Sequence, residues 1–452
     1  MNIFGFLILD KALSKTKPEN HQAGHFSPHS HNSARKITWS LFLAQALGSA
    51  GFLAVATVSS IVGRALIGSD ALATVPEAVY HIGVSLAALG WGYGMDRLGR
   101  RRGLSLGLSL GVVGALVVVA SIMQSSLILL LIGLSLMGIA RSALQLARFA
   151  AAEVHPAHER ARAISNVVLG GAAATFLWAG ISRQLDWLSQ MVHAPELALP
   201  YVISGVFFFT AAALIHLFLR PDPRDLGIEI ARHESTQQAI EHSHVPARTL
   251  KEIFQQPAVR VAANAMIFGQ AVMVMIMIIT PLHMRHHTHT IADISLVISA
   301  HVFGMYAFSI LSGRLADRFG RGFVIIIGAI TLIAACLTAP FSPESLPLGF
   351  SLFSLGLGWN FCYVGGSSLL ADQLSPAERS RTQGFNDLLI GLVSAAGSLG
   401  SGIIFAAVGF GTMSIIGAVT AAIPLVMTVW WMTSKANPIR TAITTDSPTK
   451  TI

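Results

Sequence analysis

The chain has 452 residues, of which 53% are hydrophobic and 12% are charged, about half the charged fraction of a typical soluble domain. Apolar runs of about 20 residues follow one another almost end to end, and a helix of that length crosses the hydrocarbon core of a bilayer. The runs are continuous and do not alternate, which disfavours a membrane β-barrel. The net charge of +8 comes without the basic, aromatic-interleaved patch of a nucleic-acid-binding protein.

Twelve membrane-spanning helices are predicted in chain order. The first six cover 38–63, 75–95, 103–123, 126–150, 162–183 and 199–219, and the last six cover 259–282, 292–312, 322–340, 347–370, 382–408 and 411–433. A polar stretch at 220–258 separates the two sets, and polar tails at 1–37 and 434–452 flank them. We therefore expect an all-α polytopic membrane protein with two six-helix halves, 38–219 and 259–433, and a disordered N-terminal tail.

Basic residues are concentrated in the turns after the even-numbered spans, where Arg97, Arg160, Arg220, Arg318 and Arg379 lie. The turns on the opposite side hold few of them. Because Lys and Arg mark cytoplasmic loops, both termini and the central polar stretch are predicted to be cytoplasmic, in a bacterial inner membrane.

Two motifs occur once in each half. The strings "GYGMDRLGRR" (92–101) and "GRLADRFGRG" (313–322) share the pattern G-x-x-x-D-R-x-G-R after the second span of a half. The strings "EVHPAHERAR" (153–162) and "DQLSPAERSR" (372–381) each place an acid seven residues before an arginine at the end of the fourth span. The two pairs lie almost equally far apart, which indicates an internal duplication, and duplicated parallel halves are one plan of secondary transporters.

The duplicated G-x-x-x-D-R-x-G-R string resembles the signature of the major facilitator superfamily, and the resemblance extends over residues 38–433. It implies the major facilitator fold, in which two pseudo-symmetric halves give alternating access to a central site. It also implies a transporter that has no enzyme activity and needs no cofactor.

The resemblance further implies a gate on the cytoplasmic side, which locks in the outward-facing state. Asp96 is then expected to reach the start of span 11, and Asp317 the start of span 5, while the motif arginines pair with the acids that end spans 4 and 10. The alternative for the basic residues is simple anchoring at the cytoplasmic surface. The expected gating residues are Gly92, Asp96, Arg97, Gly99, Arg100, Glu153, Arg160, Gly313, Asp317, Arg318, Gly320, Arg321, Asp372 and Arg379.

Arg141 lies near the middle of span 4, where a charged side chain is costly and usually functional. In the resembled fold, spans 1, 4, 7 and 10 line the central cavity, so Arg141 either contacts substrate or is neutralised by a protein acid. The methionines of span 7 line the cavity or belong to the packed interior. The candidate substrate-binding residues on spans 4, 7 and 10 are Arg141, Gln145, Gln270, Met273, Met277, Trp359 and Asn360.

Four ionisable side chains within other spans are candidates for carrying a proton: Glu77 and His81 on span 2, His301 on span 8 and Asp387 on span 11. Glu77 lies close enough to the outer surface to be hydrated without any functional role. His301 and Asp387 are predicted to lie deeper, so they are the better candidates. The alternative for both is a structural role.

The predicted function is secondary active transport of a small solute, coupled to protons, with efflux of small organic molecules preferred. One alternative is import or export of an organic anion recognised through Arg141, and another is a membrane sensor or assembly partner that transports nothing.

No P-loop is present, so nucleotide hydrolysis is not supported. The histidines at 21–31 and 283–289 lack the fixed geometry of a metal site. The expected partners are the bilayer, the solute and protons, and we expect a monomer.

Overall fold

A computed structural model describes residues 28–156, 159–192, 195–229 and 248–434. Within these ranges the chain forms a bundle of α-helices, with residues 223–229 also helical. The helices are α1 (Pro28–Ile67), α2 (Val75–Leu98), α3 (Arg100–Met123), α4 (Leu127–Gln145), α5 (Ala147–Glu153), α6 (Arg160–Ser182), α7 (Leu185–Val192), α8 (Leu199–Phe218), α9 (Leu250–Gln255), α10 (Pro257–His286), α11 (Ile291–Ala307), α12 (Ser309–Phe319), α13 (Arg321–Thr338), α14 (Ser345–Asp372) and α15 (Pro376–Thr433).

Two predicted spans are interrupted in the structure, and two others are joined into one helical run. The predicted fourth span breaks at Leu146 into α4 and α5. The eighth bends by 41° between α11 and α12. The last two form the single 58-residue run α15, which Gly409 interrupts with a backbone φ of 74°.

By length and composition, eight helices of the described ranges are long and apolar enough to cross a membrane, or nine if the bent α11–α12 pair is one span. The run α15 is 58 residues long, about 85 Å at 1.5 Å per residue, which is more than twice the thickness of a hydrocarbon core. The helices α2 and α14 have 24 and 28 residues, enough to cross, but fall outside that set. Twelve spans therefore remains a prediction.

The two halves repeat one packing scheme. In the first half, α1 packs on α6 and α8, α3 packs on α4 and α8, and α2 packs on α4. In the second half, α10 packs on α14 and α15, α13 packs on the same two helices, and α11 packs on α14. Since the same neighbours recur at equivalent positions, the packing agrees with the duplication inferred from the motifs. The halves meet where α2 packs on α15 and α6 packs on α11.

We call the end of the bundle that holds the turns at Gly99 and Gly320 the motif side, and the opposite end the far side. On the far side the halves are joined by polar contacts. Arg285 lies 3.3 Å from Glu196, and His286 lies 3.6 Å from Asp70. The Ser398 hydroxyl donates to the Thr74 carbonyl at 3.2 Å. The far side is therefore closed in this conformation.

The halves separate toward the motif side. A methyl group placed on Gly391 of α15 would collide with Ser85 of α2, so the two helices touch at that level. Two turns closer to the motif side, Gly92 and Gly384 occupy the same helix faces, and a methyl group on either would meet no atom within 4 Å. The space between the halves is therefore open toward the motif side and narrows toward the far side.

Candidate functional site

Arg141 of α4 reaches across the space between the halves. Its Nη2 donates to the Tyr306 hydroxyl of α11 at 3.4 Å, and its guanidinium carbon lies 5.0 Å from the centre of the Phe52 ring. Both partners are neutral, and none of the ion pairs among the described side chains involves Arg141. An anion entering this space would therefore meet a guanidinium that forms no ion pair with a carboxylate in the part of the chain that the structure describes.

A row of aromatic rings continues from Tyr306 along the second half. The Tyr306 and Trp359 rings meet edge to face with centroids 6.4 Å apart, and Trp359 stacks on Tyr363 at 4.9 Å. The Trp359 Nε1 donates to the Gln270 Oε1 at 2.7 Å, and the Gln270 Nε2 donates to the Ser394 hydroxyl at 2.9 Å. These hydrogen bonds fix the orientation of the Gln270 and Trp359 side chains, so the aromatic row is preorganised.

The other predicted substrate-binding residues differ in exposure. Gln145 is exposed on the Arg141 face of α4, and Met277 is half-buried, whereas Met273 is buried. Asn360 is also buried, and its Nδ2 donates to the Met305 carbonyl at 2.6 Å and to the Ser309 hydroxyl at 2.9 Å. Asn360 therefore joins neighbouring helices of one half instead of facing the space between the halves.

The mouth of this space carries charges of both signs. Arg148 of α5 is close enough to interact electrostatically with Tyr363 and with Asp387 of α15, both in the other half. Asp387 is exposed, although its sequence position suggested a deeper site. The separation of the halves explains this difference, because it opens the α15 face on which Asp387 lies.

The remaining proton candidates lie in different surroundings. Glu77 is 6% exposed and therefore buried, whereas its sequence position allowed hydration at the outer surface. His81 is half-buried one turn further along α2. His301 is fully buried, with its Nδ1 2.8 Å from the Leu352 carbonyl of α14, so it contributes to packing between α11 and α14.

The motif turn of the first half forms a network of ion pairs. Arg100 donates to both carboxylate oxygens of Glu153, from Nη2 to Oε1 at 2.6 Å and from Nε to Oε2 at 3.0 Å and to Oε1 at 3.1 Å. Its Nη1 lies 2.9 Å from the Asp96 Oδ1. Asp96 is 66% exposed and, in this conformation, pairs within its own turn.

The second half repeats the arrangement with more exposed acids. Arg321 pairs with Asp317, and its Nε donates to the Asp372 Oδ2 at 3.1 Å. Arg160 donates from its Nε to the His155 carbonyl at 3.2 Å, and the Arg379 side chain lies outside the described residues. The predicted interaction of motif arginines with the acids ending spans 4 and 10 thus corresponds to Arg100–Glu153 and Arg321–Asp372.

Asp222, which follows α8, was not identified from the sequence although it belongs to the first motif turn. Its carboxylate accepts from the backbone N–H groups of Arg100 at 3.0 Å and of Arg101 at 3.1 Å, and thus caps the start of α3. Gly99 makes this approach possible, since it has a φ of 86° and any side chain would face Asp222. The sequence feature that could have identified Asp222 is the acid in the turn "RPDPRD" (220–225).

The matched glycines of the two turns give a stability prediction. Both have the positive φ that strongly favours glycine, 86° for Gly99 and 93° for Gly320, and alanine there costs about 1–3 kcal/mol. Gly99→Ala also places its methyl group 2.5 Å from the Asp222 Oδ2, whereas Gly320→Ala meets no atom within 4 Å. We therefore expect Gly99→Ala to lower the melting temperature of the purified protein more than Gly320→Ala. Equal losses would show that the Asp222 cap contributes nothing.

A second unforeseen pair attaches the end of the central polar stretch to α15. Arg248 binds Glu378 through Nε–Oε1 at 2.9 Å and Nη2–Oε2 at 2.8 Å, and its Nη2 also donates to the Gln373 carbonyl at 2.7 Å. The Glu378 side chain is 3% exposed. The Arg248 guanidinium, assisted by the Ser375 and Arg248 backbone N–H groups, holds the pKa of Glu378 well below its usual range.

This pair predicts how the stability changes in acid. A carboxyl whose pKa is lower in the folded state contributes stability above its unfolded pKa, about 4.3 for Glu, and loses that contribution as the pH falls through the folded pKa. We expect the melting temperature of the wild type to fall more steeply below about pH 4.3 than that of Glu378→Gln, which has no proton to gain. Parallel decreases in the two proteins would contradict this role of Glu378.

The histidines at 283–289 do not form a metal site in the structure. Among the described residues, no group of three or more His, Cys, Asp and Glu side chains is placed to hold a metal ion. His283 instead stacks on Phe410 at 4.1 Å, and His289 lies 4.0 Å from Asp293. The His-rich stretch 21–31 begins outside the described residues.

Comparison with known proteins gives concordant results. The model of the Major Facilitator Superfamily matches residues 37–279 and 261–451. The chain is 32% identical to the uncharacterized MFS-type transporter YddS of Bacillus subtilis, over 93% of this chain and 97% of that one. It is 28% identical to the riboflavin transporter RfnT of Brucella anthropi, over 80% and 88%. Its fold is similar to that of a bacterial homologue of the human lysosomal transporter Spinster, with a TM-score of 0.62 at 15% identity over 89% and 97% of the chains.

Proposed function

Because the chain belongs to the Major Facilitator Superfamily, a family of membrane transporters and not of enzymes, we propose that it transports a small aromatic organic anion by alternating access. The observation that carries this proposal is Arg141, whose guanidinium contacts the neutral Tyr306 and Phe52 in the space between the halves and takes part in none of the ion pairs of the described residues. A permanent cation at membrane depth costs about 2.5 kcal/mol or more without a partner. An anionic substrate offsets that cost when it binds.

The aromatic row supports the second part of the proposal. Trp359 and Tyr363 are already stacked, and Gln270 holds Trp359 in place, so a flat ring system can pack beside them without reordering the site. The similarity to a riboflavin transporter agrees with this, since riboflavin carries a flat aromatic ring system. We propose that the negative group of the substrate faces Arg141 and that its rings face Trp359.

The helix register supports the motif turns as the gate. Thr74, the residue before α2, faces Gly402 of α15, and Ser85 of α2 faces Gly391 of α15. The second contact therefore lies eleven residues later along α2 and eleven residues earlier along α15. Eleven residues make about three turns, which brings the next pair, Asp96 and Ser380, to the same faces. Closing the motif side would thus place the Asp96 carboxylate at the positive N-terminus of α15, a favourable position for an acid.

The same spacing applies to the other contact between the halves. Gly171 of α6 packs against the Tyr306 ring of α11. Eleven residues closer to the motif side, the corresponding residues are Arg160, the first residue of α6, and Asp317 of α12. We propose that Asp317 approaches the start of α6 when the motif side closes, although the bend between α11 and α12 must then change. The basic turns favour a cytoplasmic position for the motif side. We therefore propose that the conformation described is inward-open and that the protein is a monomer in a bacterial inner membrane.

Proton-coupled efflux of small organic molecules is the second candidate, favoured by the buried carboxyl of Glu77. Proteoliposomes that report solute and proton flux together test both candidates. Pairs of aromatic carboxylates and their neutral amides should show flux of the carboxylate only. Flux of both would favour the broader second candidate. If no solute moves while the protein is folded, the chain is a sensor or assembly partner.

A further inference from the structure

A buried polar cluster lies in the first half, outside the space that holds Arg141. Glu77, in the first turn of α2, is 6% exposed, and its Oε2 has no hydrogen-bond partner. Ser59 of α1 lies beside it, and Tyr201 of α8 interacts with both Glu77 and Ser59. The Ser59 and Tyr201 hydroxyls are also buried without a partner that meets hydrogen-bond geometry. Three adjacent polar groups thus have unused hydrogen-bonding capacity in an apolar interior.

Within the described ranges, no positively charged side chain forms an ion pair with Glu77. Glu77 interacts electrostatically with two titratable side chains. They are Tyr80 on the same helix and Tyr201 on α8. Arg141 acts electrostatically on the neighbouring Tyr80 and His81. None of the ion pairs among the described residues involves Glu77. An isolated carboxylate is expensive to bury. The carboxyl therefore needs a proton or a small cation in this conformation.

We infer that Glu77, with Ser59 and Tyr201, forms a proton-binding site that is emptied and filled through the far side. The inference rests on the proposed transport cycle and its coupling to protons. The three side chains offer four oxygen atoms, fewer than the roughly six that hard cations such as Ca²⁺ and Mg²⁺ take. A single proton on the carboxyl satisfies the cluster instead, since the acid O–H donates to a hydroxyl and the other oxygen accepts.

The position of Glu77 links the site to the far-side closure. Glu77 lies one turn from Thr74, whose carbonyl accepts from the Ser398 hydroxyl of α15, and Gly402 packs on the same turn. When α15 moves away, water reaches this end of α2. The α2 N-terminus, where Glu77 is the acid of the first turn, then favours the carboxylate. The proton passes from the carboxyl to far-side water, and closure requires one proton to return to the carboxylate.

The far-side opening can be followed without knowing the substrate. Ser398 is fully buried, so Ser398→Cys is a reporter that reacts with a hydrophilic maleimide only when the far side opens. The native Cys336 and Cys362 are buried within the second half and are retained. Labelling rates of the full-length protein are measured against pH and divided by those of the denatured protein at the same pH.

With Glu77 present, labelling is expected to rise at least about fivefold between about pH 5 and pH 9, the range in which buried carboxyl groups titrate. Glu77→Gln mimics the protonated form and should remain at the low rate throughout. Ser59→Ala and Tyr201→Phe remove hydroxyls that stabilise the carboxylate, so their profiles should move to higher pH. Glu344→Gln changes an exposed far-side acid and should keep the original profile.

Three results would overturn the inference. The first is a labelling rate that does not change with pH. The second is a Glu77→Gln profile equal to that of the reporter protein with Glu77 present. The third is a labelling rate that depends on whether the buffer contains Na⁺ or choline and not on pH. If the first or second occurs while solute flux still carries protons in proteoliposomes, the proposed function stands and the coupling site lies elsewhere. If protons do not move with solute, proton coupling itself fails.

Discussion

Arg141→Gln is expected to lower kcat/KM for anionic aromatic substrates by at least about 30-fold, because loss of one partner of a buried charge pair costs about 2 kcal/mol or more. Neutral analogues should be affected much less, since they do not use the charge. The measurement is the initial rate of uptake into proteoliposomes for a carboxylate and its amide. Arg141→Lys should recover part of the loss, because Lys keeps the charge but not the planar fork of two donors.

The melting temperature separates this role from a structural one. In the structure Arg141 contacts the Tyr306 hydroxyl and the Phe52 ring. Since none of the ion pairs of the described residues involves Arg141, Arg141→Gln should fold with wild-type stability. A matched control is Arg100→Gln, which removes the hydrogen bonds to Glu153 and should lower the melting temperature. If Arg141→Gln is as destabilised as Arg100→Gln and loses all substrates equally, the role of Arg141 is structural.

Asp96→Asn is expected to reduce transport about tenfold by removing the charge that meets the α15 N-terminus when the motif side closes, an interaction of about 1 kcal/mol or slightly more. The reporter is Gly384→Cys, which fits because a methyl group there meets no atom within 4 Å. Substrate should protect this cysteine from labelling in the otherwise wild-type protein, since substrate drives closure. In Asp96→Asn the protection should be lost.

The melting temperature is the control for Asp96→Asn, because the substitution also removes the ion pair between Asp96 and Arg100. Asp96 is 66% exposed in this conformation, and exposed pairs contribute little to stability. The melting temperature should therefore remain unchanged although transport falls. Normal substrate protection of the Gly384→Cys reporter in Asp96→Asn, with full transport, would show that the Asp96 charge has no part in closing the motif side.

The family and the fold class are both confirmed, and the sequence predicted them because they depend on local features. Apolar runs of spanning length and the duplicated Asp-Arg turns are visible in the sequence without any knowledge of packing. The pairing of Arg100 with an acid at the end of the fourth span was likewise accessible, since the acid recurs at an equivalent position in both halves. Twelve spans, proton coupling and the direction of transport remain predictions.

The site depended on contacts that no local pattern encodes. Tyr306 was not singled out, because an aromatic residue in an apolar run is usually packed, and only the approach of α11 to α4 brings it to Arg141. Asn360 had the residue type of a binding side chain, yet it serves packing between helices of one half. Glu77 was placed near the outer surface by counting residues, but α1 and α8 bury it from the sides.

The most direct test of the central claim is a thermal-shift screen of the purified protein and of Arg141→Gln against pairs of aromatic carboxylates and their amides. Wild-type protein should be stabilised by some carboxylates and not by the corresponding amides, since only a ligand that binds the folded state raises the melting temperature. In Arg141→Gln this stabilisation should disappear. Equal stabilisation of both proteins by the same anions, or stabilisation by amides alone, would contradict the assignment of Arg141 as the counter-charge of the substrate.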